Sequence, residues 1–396
     1  MAKDMTGVKD VAVRAGLGDI VPNRYDALLV DQFGVLHDGN MVYEGVEDCL
    51  TELRRHPVKV VMLSNSTKRA KKTMQRMAER QKVSSDKIDG FVTSGELVWQ
   101  LFHHVPANED EDTVSKLGLG RKAFVFDVGD GYLPEFLEGL EGRLEFVDSI
   151  EDATLLFAFG YGAIADSKGH CVRKLQFTMN RSGSTPVVHH NTGSNGDGVQ
   201  KNPQSGAASG CAPSSEQEGQ HMHLTTKQIS EAHAEEERIV DEILAKAAAR
   251  NLPCLCANPD LMSAPRMDGT HDLVAGSLAA RYVQKFGGRA IYYGKPHAVI
   301  YDEALAYLKR EHGVPVETAE DKRRIAMVGD SLMHDICGAQ GAGIDSIWLT
   351  GGVHYEALGI APGPSCDTNR VDSDKAAREF ARWGATPTWQ VGGFQW

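Results

Sequence analysis

Short apolar runs that stop at polar or glycine-rich turns recur along the chain. Tyr25–Val30 (YDALLV) ends at Asp31, and GVLHDG follows with the glycines of a loop. Such a run reads as a buried strand whose C-terminal end presents a carboxylate. A helical stretch over Val46–Arg55 precedes a second apolar run, Val58–Leu63, which ends in Ser64-Asn65-Ser66. A basic amphipathic helix is expected from about Thr67 to Gln81, then a third strand over Gly90–Thr93. Farther on, Ala290–Tyr293 leads into Gly294-Lys295-Pro296, Arg324–Val328 into Gly329-Asp330-Ser331, and Ser346–Leu349 into Thr350-Gly351-Gly352. Strand, loop and helix alternating at this spacing predict a parallel α/β sheet. The polar groups gather where strands end, which is where open α/β sheets place their ligands.

Residues 101–274 read as a second α/β unit, with strands over Ala123–Val128, Leu155–Phe159 and Cys254–Ala257 and a helix over Lys227–Arg250. It is interrupted by a low-complexity stretch, 181–220. That stretch holds seven glycines, seven serines and only three large aliphatic residues, Val187, Val188 and Val199. So little apolar surface does not offset the entropy of ordering, and a disordered insert is expected. His189-His190 and His221-Met222-His223 flank it; polar filler is the favoured reading over a metal-binding tract.

Composition narrows the class. A chain of 396 residues corresponds to two to three domains of roughly 100–200 residues each. Lys plus Arg is 42 against 54 Asp plus Glu, a formal charge of −12. That balance lacks the electrostatic footprint of a nucleic-acid binder. No apolar run approaches the roughly 20 residues of a membrane helix. The opening MAKDMTGVKDVAVRAG has no apolar stretch of the kind a secretory signal needs. The seven cysteines are scattered and odd in number, as expected of reduced thiols in a cytoplasmic protein. Cys254 and Cys256 share one face of a strand, with no second pair at zinc-ligand spacing.

Four strand-end groups carry candidate chemistry: Asp31, Ser64-Asn65, Lys295, and Asp330 with Asp335. Singly, each is an ordinary cap or turn residue. Together they suit phosphoryl transfer. A carboxylate nucleophile beside a phosphate dianion needs a cation, and Asp31 and Asp330 could hold Mg²⁺, which favours oxygen ligands. Ser64 and amides at a helix start can donate to phosphate oxygens. Lys295 offers a point charge, and Asp335 could orient Lys295 or a metal-bound water.

These residues resemble the haloacid dehalogenase superfamily, and more narrowly its class IIA, p-nitrophenylphosphatase-like branch. The motifs are DQFGVLHDG (Asp31–Gly39), LSNST (Leu63–Thr67), GKP (Gly294–Pro296) and GDSLMHDICGAQGAG (Gly329–Gly343), with TSGE (Thr93–Glu96) and ANPD (Ala257–Asp260) as further likenesses. The resemblance implies a Rossmann-like core from 1–100 and 275–396, with an α/β cap of the C2 type over 101–274. It implies a Mg²⁺-dependent phosphatase of small phosphorylated metabolites. Asp31 would be the nucleophile, forming an aspartyl-phosphate. Asp330 and the backbone carbonyl of Phe33 would join it around the metal, Ser64, Asn65 and Lys295 would hold the phosphate, and Asp335 would support the site. A homodimer through the cap is compatible with this branch.

Phe33 departs from the pattern. A second aspartate, serving as general acid and base, usually occupies that position, and a phenyl ring moves no proton. His37, Asp38 and His334 are nearby in sequence as substitutes, although each has an ordinary loop or cap reading. Two other functions suit the change: a non-catalytic metal- and phosphate-binding regulator, or a dehalogenase-like hydrolase that attacks carbon. In the cap, Tyr161, Asn258, Asp260 and the 264–275 loop are the candidates for substrate contact, and they name no substrate.

Overall fold

A computed structural model of the chain describes residues 11–104, 112–175, 177–180, 226–263, 270–360 and 371–396. The 181–220 stretch, its flanking histidines and part of the 264–275 loop lie outside the described residues. Among the described residues no helix is long and apolar enough to cross a membrane.

Seven strands form the first sheet. In spatial order they are Ala12–Val13, Trp389–Val391, Asp345–Leu349, Ile325–Gly329, Ala27–Val30, Lys59–Ser64 and Gly90–Thr93, all paired parallel. The central strands are apolar at every position because both faces are covered. Ala27, Leu29, Val61, Leu63, Ile325 and Met327 enter one hydrophobic cluster, while Leu28, Val30, Val60, Met62, Ala326 and Val328 enter another on the opposite face. The alternation follows from the two-residue period of a strand.

The second sheet is ordered Arg289–Tyr292, Pro253–Cys256, Leu155–Ala158, Lys122–Asp127, Ala163–Ala165, Cys171–Lys174, with Glu145–Phe146 paired beside Lys122–Asp127. Its first four strands run parallel, and the two at the far edge run antiparallel. Val125, Phe157 and Leu255 share a continuous apolar cluster with Leu29 and Val61 of the first sheet. Cys254 and Cys256 point the other way, and burial pushes both thiols up.

One strand changes its expected partner. The run after residue 288, expected in the first sheet, pairs instead with Pro253–Cys256. Ala275, Leu278, Ala279 and Tyr282 of helix Ala275–Phe286 pack into the outer cluster of the same sheet. The chain therefore returns to the first sheet after Tyr292 rather than at 275. An apolar run of four residues specifies a strand and leaves open which sheet edge it completes.

Candidate active site

Parallel pairing of Ala27–Val30 with Ile325–Gly329 sets Val30 opposite Val328, so Asp31 and Asp330 emerge side by side. The Asp31 amide continues the ladder, donating to the Val328 carbonyl at 3.0 Å. One ligating oxygen from each of Asp31, Asp330 and Asp335 falls within 4.8 Å of the others. Lys295 reaches in from the Gly294-Lys295-Pro296 turn: its Nζ lies 2.7 Å from Asp31 Oδ1 and 2.8 Å from Asp335 Oδ1. Lys295, Asp330 and Asp335 are buried, while Asp31 keeps 16% of its side chain open to solvent.

The charges do not balance. Three carboxylates share one ammonium, and the pKa values of Lys295, Asp330 and Asp335 register the mismatch. Burial alone would lower the Lys295 pKa, but Asp31 and Asp335 more than reverse it and hold the ammonium charged. Burial, then the charges of Asp31 and Asp335, push Asp330 well above the usual carboxylate range. Burial likewise pushes Asp335 up, to about 6. Hard oxygen donors with surplus negative charge suit a divalent cation between Asp31 and Asp330. Asp335 is otherwise engaged, accepting the Ser331 amide at 3.0 Å as well as Lys295.

Glycines shape the walls. A Cβ at Gly34 (φ 79°) would lie 2.0 Å from Asp330 Oδ2, and one at Gly352 would lie 2.1 Å from Asp330 Cβ. The Val353 amide donates to Asp330 Oδ2 at 2.9 Å, and the Trp348 indole donates to the Asp330 carbonyl at 3.0 Å. Gly352→Ala is therefore expected to displace Asp330, costing about 1–3 kcal/mol in overpacking. A thermal melt and a metal titration check this; unaltered stability and metal affinity would rule it out.

The phosphate-side candidates also meet. Asn65 Oδ1 accepts the Lys295 amide at 2.6 Å, and its Nδ2 donates to the Lys295 carbonyl at 3.1 Å and to Asp260 Oδ1 at 2.8 Å. Ser64 ends the strand beside that of Asp31, its hydroxyl accepting the Ser66 amide at 3.2 Å. The following helix begins at Ala70 rather than Thr67, because residues 66–69 are held by the TSGE segment. Gly95 N and Ser94 Oγ donate to the Ser66 carbonyl at 3.0 and 3.1 Å, and Thr93 Oγ1 donates to the Lys68 carbonyl at 2.8 Å. Glu96 then caps the helix from outside, accepting the Ala70 amide and both Arg69 guanidinium contacts at 3.1 Å.

The substitutes for Phe33 separate clearly. The Phe33 ring turns toward the loop, edge-on to His37 at 6.2 Å between centroids. Burial lowers the His37 pKa to about 4, so its ring is neutral near pH 7, and Nδ1 accepts the Gly39 amide at 3.0 Å. Asp38 caps a turn by accepting the Asn40 and Met41 amides at 2.8 and 2.7 Å. His334 Nε2 lies 3.5 Å from Asp260 Oδ1. Of the residues singled out in the second unit, Tyr161 is buried in its outer cluster against Phe177, away from the carboxylates. Asn258 shapes the turn, its Oδ1 accepting the Asp260 amide at 2.8 Å. Sequence reasoning did not single out Val353 and Trp348 as supports of Asp330; the glycine pair after Trp348 was the available signal.

Two family models match this chain, and both describe the same group: a haloacid dehalogenase-like hydrolase over residues 28–140 and a HAD-hydrolase-like segment over 292–368. The chain is thus similar to haloacid dehalogenase-like hydrolases over two separate segments. Asp31 and Asn65 fall within the first matched segment, and Lys295, Asp330 and Asp335 within the second. Among solved structures, a haloacid dehalogenase-like hydrolase from Brucella suis is similar at 22% identity and a TM-score of 0.60, over 96% of this chain and 99% of that one. A protein from Cytophaga hutchinsonii described as a possible sugar phosphatase is similar at 14% identity and a TM-score of 0.56, over 97% and 99%. No curated protein matches the chain.

Proposed function

We propose that this chain is a haloacid dehalogenase-like hydrolase and a Mg²⁺-dependent phosphatase of small phosphorylated molecules, acting through an aspartyl-phosphate on Asp31. The observation that carries the reading is Lys295, which bridges Asp31 and Asp335 at 2.7 and 2.8 Å with Asp330 alongside. A buried ammonium so placed can receive the charge of a phosphoryl group without being neutralised itself. Asp31 is the most open carboxylate of the three and the one suited to attack phosphorus. Asp330 and the Phe33 carbonyl are the groups that would hold the metal beside it, where Mg²⁺ would offset the charge of the phosphoryl oxygens. Ser64 and the amides that follow it are suited to donate to those oxygens, with Asn65 locking the Lys295 turn. Asp335 fixes Lys295. The motif set of the class IIA branch and the similarity to a protein described as a possible sugar phosphatase support the same substrate class.

The direct test is hydrolysis of p-nitrophenyl phosphate with Mg²⁺, with EDTA as control. Activity that EDTA abolishes supports the reading; a folded protein that binds Mg²⁺ and hydrolyses nothing overturns it. Phe33→Asp is expected to raise hydrolysis of alkyl phosphates by up to about 10-fold, less than the roughly 10²–10⁴ of a general acid supplied where none acts. Aryl phosphates, whose leaving groups scarcely need a proton, should gain less. An equal gain on both substrates would show that the ring acts by shape alone.

A further inference from the structure

An alkyl phosphate releases its alcohol slowly unless a proton reaches the departing oxygen. Phe33 has none to give. The carboxylates nearest Asp31 are engaged, Asp335 with Lys295 and Ser331 and Asp330 with Val353. His37 is neutral and turned to its own loop. One further acid comes from the second sheet. The turn after Pro253–Cys256 brings Asp260 Oδ1 to 2.8 Å from Asn65 Nδ2, and Asn65 Oδ1 accepts the Lys295 amide at 2.6 Å. A single side chain thus separates Asp260 from the residue that bridges the nucleophile.

The turn is braced. Asn258 Oδ1 accepts the Asp260 amide, and Pro259 abuts Gly294, where a Cβ would fall 2.6 Å from Pro259 Cδ. The same oxygen of Asp260 meets His334, whose Nε2 is buried without a hydrogen-bond partner 3.5 Å from Oδ1. His334 Nδ1 lies 3.2 Å from Ser331 Oγ, which ties the imidazole to the loop carrying Asp330.

We propose that Asp260 is the proton donor to the leaving group, taking the part that Phe33 cannot play, and that His334 is the residue that positions it. The proposal rests on the phosphatase reading. As the bond from Asp31 to phosphorus forms, the bond from phosphorus to the leaving oxygen breaks. Its electron pair takes the proton of the Asp260 carboxyl, which becomes a carboxylate as the alcohol departs. Water then attacks the phosphorus of the aspartyl-phosphate and returns a proton to Asp260, freeing Asp31 and inorganic phosphate. The N–H of His334 Nε2 stabilises the ionised Asp260 between the two steps.

The test compares kcat/KM for propyl phosphate and p-nitrophenyl phosphate on the same preparations of full-length protein with Mg²⁺, so that incomplete folding cancels in the ratio. Asp260→Asn is expected to cut the alkyl reaction by about 10²-fold or more and the aryl reaction at least tenfold less. His334→Gln should shift the ratio in the same direction by a smaller factor. Adding Phe33→Asp to Asp260→Asn should restore alkyl hydrolysis, because it supplies a carboxyl group from the other wall. Equal losses on both substrates, or no loss on either, would overturn the proposal while leaving the phosphatase reading in place. A wild-type protein that hydrolyses neither substrate would overturn the reading itself, and the proposal with it.

Discussion

Asp31→Asn is expected to lower p-nitrophenyl phosphate hydrolysis by about 10⁴-fold or more, the scale on which removal of a nucleophile acts. The same substitution should leave the melting temperature at or above that of the wild type. The reason lies in the charge count. Asp31, Asp330 and Asp335 share one ammonium, and the charge of Asp31 helps push the pKa of both other carboxylates upward. Asn keeps the shape and removes the surplus charge, leaving Lys295 paired with Asp335 at 2.8 Å. Activity at the wild-type level would refute the nucleophile assignment. A large loss of stability would show instead that the Asp31–Lys295 contact holds the site together.

Lys295→Met should act in the opposite sense on stability. It strands Asp335, fully buried, and Asp31 without their common partner. Breaking a buried ion pair from one side typically costs about 3–5 kcal/mol, and the same order is expected here. The loss should depend on pH. Burial already lifts Asp335 to about 6, and loss of the Lys295 charge lifts it further. A carboxylate whose folded pKa lies above its unfolded value takes up a proton on folding, so acid favours the fold. The stability gap between variant and wild type should therefore be widest above pH 7 and narrow as pH falls toward 5. Urea melts at the two pH values decide it, and a gap that stays constant would mean that Lys295 supports the fold by packing rather than by charge.

Much of this was legible along the chain, for identifiable reasons. Each central strand is buried on both faces, so it reads as an uninterrupted apolar run that stops where the sheet stops. Asp31, Ser64 and Asp330 stand at those stops. What the pattern did not show is which runs lie side by side. The strand Arg289–Tyr292 completes the second sheet because Pro253–Cys256 has a free edge there, a fact about a partner more than thirty residues away. The helix expected from Thr67 starts at Ala70 because Glu96, another helix's residue, caps it.

The same division runs through the site. Residue type and position at a strand end by themselves determined the nucleophile candidate, the lysine and the paired acids, because period and burial act over a few residues. Only the tertiary structure decided that Lys295 bridges Asp31 and Asp335, that Gly352 and Val353 crowd and bind Asp330, and that Asp260 meets Asn65 across 195 positions. Those contacts join segments whose only common cause is the pairing of strands and the apolar cluster shared by the two sheets. That pairing is settled by the burial of whole faces, which no short stretch of sequence carries.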